Sequence, residues 1–150
     1  MAHDVSRQAD IARPYSALAS IYDLVMEYVD YHEWADYVHS LVGRTGIEPS
    51  RLLELGCGTG SLAFELEEML PACSYLATDG SSEMIGVARA KASILGSGVQ
   101  FEVVDFTDLQ TVSSVDFPLV LLLYDGINYL LTPSDVTDVL SEVRSVLASD

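Results

Sequence analysis

The chain has 150 residues, with 7 basic against 23 acidic side chains and a formal net charge of −16. That length fits one domain, spanning 1–150, and is enough to bury a core without staples. A hydrophobic share of 49% against 20% charged excludes a disordered or fibrous chain. The acidic balance argues against direct nucleic-acid binding and against an anionic membrane surface, since both rest on Lys and Arg. Cys57 and Cys73 are too few for a disulfide scaffold. With His3, His32 and His39 scattered, no metal site is expected. The N-terminus lacks the pattern of a signal peptide. The most apolar run, Pro118 to Tyr124, is too short to span a bilayer. These features predict a cytoplasmic protein with no membrane partner.

Two N-terminal helices are predicted at about 14–43. Pro14 suits a first helical turn, and Leu18, Ile21, Tyr22, Val25 and Val29 recur at helical spacing. Trp34, Tyr37, Val38 and Leu41 form a second stripe, closed by Gly43. These helices are expected to lie across the edge or mouth of the core that follows.

The core, at about 50–150, alternates strands with helices. Arg51 to Leu55 reads as a strand, followed by a glycine loop and a helix from about Gly60 to Leu70, with Leu62, Leu66, Met69 and Leu70 facing inward. Ser74 to Thr78 is the next strand. After the turn Asp79-Gly80-Ser81-Ser82, with Ser81 or Ser82 as N-cap, Met84, Ile85, Ala88, Ala92 and Leu95 mark a helix stopped by Gly96. Val99 to Val104 is a third strand. Pro118 to Leu123 is a fourth, apolar enough to suit burial on both sides. Pro133 opens the last helix, with Val136, Val139, Leu140, Val143 and Leu147 as its core face. The pattern predicts an α/β fold: a doubly wound parallel sheet of strand order 3-2-1-4 with helices on both faces. In such sheets ligands bind beyond the carboxyl ends of the strands. The unusual polar residues sit at those ends: Gly56 to Gly60, Asp79, Asp105, and Tyr124 with Asp125.

Glu54-Leu55-Gly56-Cys57-Gly58-Thr59-Gly60 is the strongest signal. Its glycines let backbone approach a ligand closely, and the next helix points unpaired N–H groups toward it. Three alternating glycines exceed what a tight turn requires. Asp79 follows Gly56 by 23 positions, and its acceptor-only carboxylate suits a ribose diol. A carboxylate at Asp105 suits an exocyclic amine, with Phe106 or Met84 flanking the base. Taken singly, Asp79 fits turn or cap chemistry better than a ligand role, Asp105 fits turn chemistry equally well, and Met84 fits core packing.

The run Leu52 to Gly60 resembles motif I of class I S-adenosylmethionine-dependent methyltransferases. Asp79 resembles that family's ribose-binding acid, and Val104-Asp105-Phe106 its adenine-binding segment. Asp125-Gly126-Ile127-Asn128-Tyr129 is similar to the motif at its fourth strand. Tyr15 to Asp23, followed by Asp30-Tyr31-His32-Glu33-Trp34, resembles the lead-in of a bacterial small-molecule-type subgroup. The resemblance implies a Rossmann-like fold, S-adenosyl-L-methionine as cofactor and a small-molecule methyl acceptor. Gly56, Cys57, Gly58 and Gly60 would hold the methionyl part, and Glu54 would orient the loop or reach the amino group. Asp79 and Gly80 would meet the ribose, and Asp105, Phe106 and Met84 the adenine. Tyr22 would cover the cofactor; Trp34 is better read as helix packing. Tyr124 and Asp125 are the candidates for proton acceptance from the methyl acceptor. The family's complete sheet has seven strands and four are expected here. The C-terminal part of that fold is expected to be missing, leaving the fourth strand an exposed edge that invites a homo-oligomer.

Two other readings compete. An NAD(P)-dependent oxidoreductase needs a dinucleotide fingerprint, but its third glycine is Ser61 here. Glu54 beside the loop would also repel a pyrophosphate. The third reading is a non-catalytic cofactor-binding or interaction domain that keeps the fold.

Overall fold

The structure is a computed structural model that describes residues 16–113, 115–124 and 126–149. Four parallel strands form one sheet in the order β3-β2-β1-β4. They are β1 (Arg51–Leu55), β2 (Ser74–Asp79), β3 (Gln100–Val103) and β4 (Leu119–Leu122). The helices are α1 (Tyr22–Val25), α2 (Tyr31–Thr45), α3 (Ser61–Met69), α4 (Ser82–Leu95) and α5 (Pro133–Val146). The predicted strand order is the observed one.

Side chains alternate across each strand, so β1 feeds two cores. Leu52 joins Tyr75, Ala77 and Phe101 beneath α2, α3 and α4, where Val38, Leu66 and Ile85 are buried. Leu53 and Leu55 point to the other face, against Val104, Leu109, Phe117 and Val146 of α5. The end of α5 is pinned to the chain just before β4: Phe117 donates its N–H to Val146 O at 2.8 Å and accepts from Ala148 N at 3.0 Å. The Glu142 carboxylate receives the Leu109 N–H at 2.9 Å.

Local chemistry sets the helix ends. Asp30 caps α2, accepting from Glu33 N, and Ser81 caps α4, accepting from Met84 N. Thr132 and Asp135 form a capping box at the start of α5. Gly96 closes α4 in the left-handed region, as the sequence predicts.

Several expectations need correction. The apolar stripe from Leu18 to Val25 does not make one long helix. It is a 3-10 turn (Ser16–Ile21) followed by the four-residue α1, which buries nothing. Pro14 lies outside the described residues. Helix α2 continues through Gly43 and is closed by Gly46 at φ 72°. Its buried face is Ala35, Val38 and Val42, whereas Trp34, Tyr37 and Leu41 are exposed. Small residues face inward because α2 packs closely on α3. The third strand stops at Val103, and the fourth is trimmed to Leu119–Leu122. All four β4 residues are half-buried rather than buried on both sides, because β4 is an outer strand of this sheet. Leu95 and Leu140 are exposed, at 63% and 61%.

Candidate functional site

The carboxyl ends of all four strands open into one cavity of about 370 Å³. That volume lies within the range of small-molecule pockets. Glu54, Gly56, Cys57, Gly58, Asp79, Gly80, Met84, Asp105 and Phe106 line it, joined by Tyr22 from α1 and Tyr124 after β4. Asp125 lies outside the described residues. Gly60 is the one described glycine of the predicted set that does not line the cavity.

The loop after β1 explains both outcomes. Gly58 sits at φ 57°, a conformation costly for residues with a Cβ. That turn aims its N–H at the Asp79 carboxylate, donating to Oδ2 at 2.9 Å. Gly60, at φ 79°, serves packing instead. A Cβ there would stand 2.7 Å from the Phe101 ring. Its missing side chain lets α3 begin against β3 and α4.

Asp79 ends β2 and holds two backbone amides, Gly58 N on Oδ2 and Ser81 N on Oδ1 at 2.8 Å. A carboxylate has about four acceptor sites, so roughly two remain for a ligand. Burial pushes its pKa up, the two amides oppose this, and the charge of Asp105 adds to the rise. Asp105 follows β3, and its Oδ1 accepts from the N–H and hydroxyl of Thr107 at 3.0 and 2.7 Å. The tight turn that the sequence offers as the alternative role for Asp105 is therefore present, while the residue also faces the cavity.

Glu54 is 3% exposed at the floor of the site. The hydroxyl of buried Tyr75 donates to its Oε2 at 2.8 Å. Burial raises the Glu54 pKa to about 7, against the lowering by Tyr75, and Asp79 raises it further. Burial likewise pushes the Cys57 thiol well up, helped by the charges of Glu54 and Asp79. Cys57 is therefore a neutral packing group, not an activated nucleophile.

The mouth of the cavity is aromatic. Tyr31, Tyr124 and Tyr129 line it, and Trp34 stands 5.0 Å from Tyr124, ring centre to ring centre. Trp34 is thus an exposed partner of the rim rather than core filling. Tyr124 has φ 62°, the one positive φ among the described non-glycine residues. Helical-stripe reasoning missed Met26, Tyr31 and Tyr129. It also missed Asp23, whose carboxylate takes hydrogen bonds from Thr59, Ser61 and Lys91. The signal available for Asp23 was its place directly after Tyr22 in the lead-in motif.

With this geometry in place, comparison with known proteins decides the family. Residues 52–150 match the family model described as a methyltransferase domain. The chain belongs to that methyltransferase family. It is 33% identical over 141 residues to a Geobacillus sp. (strain WCH70) protein whose name gives it as a methyltransferase and states no acceptor, covering 91% of this chain and 54% of that one. Malonyl-[acyl-carrier protein] O-methyltransferase of Geobacter sulfurreducens is 30% identical over 139 residues, covering 93% and 46%. A solved S-adenosylmethionine-dependent methyltransferase from Clostridium acetobutylicum superposes with TM-score 0.74 at 28% identity, covering 90% and 54%. The methyltransferase chain therefore spans about half the length of the relatives it matches. The Rossmann-like fold expected from the resemblance is borne out by the superposition on that solved methyltransferase. Among the described residues, no helix is long and apolar enough to cross a membrane.

Proposed function

We propose that this chain is the cofactor-binding part of an S-adenosylmethionine-dependent methyltransferase acting on a small-molecule acceptor. One observation carries the reading: Asp79 is fixed by amides of the glycine loop and of the α4 cap, and still opens onto the cavity. A preset carboxylate of this kind fits a vicinal diol without reorganisation. Phe106 and Met84 line the same cavity as Asp105, a combination that suits an adenine ring. Glu54 lies at the loop side, where it would meet a cationic amino group. The bound cofactor supplies a methyl group already activated on a sulfonium. The residues need only hold it and orient an acceptor, which is catalysis by proximity.

The acceptor would enter at the tyrosine-lined mouth, with Tyr124 orienting it. The cavity lining contains three carboxylates and, among the described residues, no Lys, Arg or His. That electrostatic balance favours a neutral or cationic acceptor over an anionic one. Glu54 beside the loop, together with the family match, disfavours the dinucleotide reading, since its charge would repel a pyrophosphate, whereas Asp79 suits the ribose of either cofactor.

Calorimetry with S-adenosyl-L-methionine and S-adenosyl-L-homocysteine tests the reading. Wild type is expected to bind both. Asp79→Ala removes charge-assisted hydrogen bonds to the ribose, a loss of about 3 kcal/mol or roughly a hundredfold in Kd. Folded protein that binds neither ligand, or an Asp79→Ala variant of unchanged affinity, would overturn it. NADH binding in the same cavity would restore the oxidoreductase reading.

A further inference from the structure

From Leu18 to Val29, Ala19 is the one buried residue. Helix α1 buries no residue, and Leu18, Ile21, Leu24 and Val25 are all at least 40% exposed. Nevertheless Tyr22 and Met26 form part of the cavity wall. A Cβ placed on Gly58 would meet the Tyr22 ring at 3.8 Å, so the ring lies directly over the glycine loop.

Beyond Ala19, a polar cluster ties the segment down. Asp23 Oδ1 accepts from the hydroxyl of Thr59, itself only 1% exposed, and from Ser61 Oγ at 3.3 Å. Lys91 Nζ on α4 donates to Asp23 Oδ2 at 2.8 Å and to Ser61 Oγ at 2.9 Å. Thr59 belongs to the glycine loop and Ser61 starts α3. One carboxylate thus ties the N-terminal strap to the loop, to α3 and to α4. Partial burial works against this carboxylate, yet Lys91, Thr59 and Ser61 outweigh it and hold its pKa below the ordinary value.

We infer that Asp23 is a positioning residue that latches Tyr22 and Met26 over the cofactor pocket, with Lys91 as its counter-charge, so that release of this latch gates cofactor entry and exit. The inference rests on the cofactor reading given above. Its mechanical half, the latch itself, stands on contacts present without ligand.

The test uses the 150-residue chain and Trp34, its single tryptophan, which packs on the rim residue Tyr124. Stopped-flow fluorescence follows dissociation of S-adenosyl-L-homocysteine. Asp23→Ala is expected to speed release by roughly tenfold, and Lys91→Met by somewhat less, because charge-assisted hydrogen bonds are lost. The double variant should release no faster than Asp23→Ala alone, since both break one latch. Raising salt from about 0.05 M to about 1 M should speed release from wild type but not from Asp23→Ala. Glu65→Gln, which removes the exposed charge facing His32, serves as a control and leaves the rate unchanged. Unaltered release from a folded Asp23→Ala variant would overturn the latch. Amide hydrogen exchange of the ligand-free chain separates the two ideas. Asp23→Ala should raise exchange at 16–29 and in the glycine loop, with β1 and β2 still protected. An unchanged exchange pattern overturns the latch even if no cofactor binds. Failure of wild type to bind, with exchange raised in the variant, overturns the cofactor reading and leaves the latch standing.

Discussion

Glu54→Gln probes the floor of the site most directly. The Glu54 carboxyl titrates near 7 in the folded chain, against 4.5 ordinarily, chiefly because it is buried. Below pH 4.5 both folded and unfolded forms carry the proton, and the group has no effect on stability. Between 4.5 and about 7 the unfolded chain releases its proton while the folded chain keeps it. The folded state then binds more protons, so stability falls as pH rises through this window. Above about 7 the loss is complete, and the gap corresponds to about 3 kcal/mol. Glutamine keeps the volume and still offers an oxygen to the Tyr75 hydroxyl, but it does not titrate. Urea unfolding of both proteins across about pH 4.5 to 8 measures the effect. The variant should gain about 3 kcal/mol on wild type between the two ends, or roughly 6–12 °C in melting temperature. Comparing the two proteins removes the contribution of Asp79, whose raised pKa gives a slope of the same sign. A variant–wild-type difference that stays constant with pH would refute the account. The same substitution is expected to weaken S-adenosyl-L-methionine binding, because the cationic amino group loses its partner. Wild-type affinity should fall as pH drops below about 7, by up to about tenfold per pH unit.

Two glycine substitutions should move stability in opposite directions. Gly60→Ala forces a Cβ into the Phe101 ring at a backbone angle unfavourable for alanine; thermal unfolding should show a loss of about 2–4 kcal/mol. Gly43→Ala lies inside α2 with nothing within 4 Å of the added methyl, and should stabilise by about 0.5–1 kcal/mol in the same assay.

The core sheet was legible because its signals are local and redundant. Leu52, Leu53 and Leu55 make a short, mostly apolar run followed at once by the glycine loop, and Ser81 and Gly96 bracket α4 by cap chemistry alone. Those signals fix strand ends, and strand ends fix where Asp79 and Asp105 stand. The N-terminal segment was harder. Its apolar residues recur at helical spacing, but periodicity does not say what a helix packs against. In α2 the inward face is Ala35, Val38 and Val42, of which Ala35 is a weak apolar marker, while the strong markers Trp34 and Tyr37 stay exposed. Leu140 misled in the same way on α5. Asp23 was missed for another reason: its partners Thr59, Ser61 and Lys91 lie 36 to 68 positions away. No one-dimensional pattern joins them.

Tyr124 joins two properties that usually occur apart. Its backbone occupies a conformation that costs a side-chain-bearing residue about 1–2 kcal/mol. Its ring lies between Tyr31 and Trp34, with centroids at 6.4 and 5.0 Å. The stacking energy of those rings is of the same order as the backbone cost. Backbone and aromatic wall are therefore balanced against each other. A guest that separates the rings removes what opposes the strained peptide. The φ of Tyr124 is then expected to relax, so filling the entrance and easing that one backbone angle should go together.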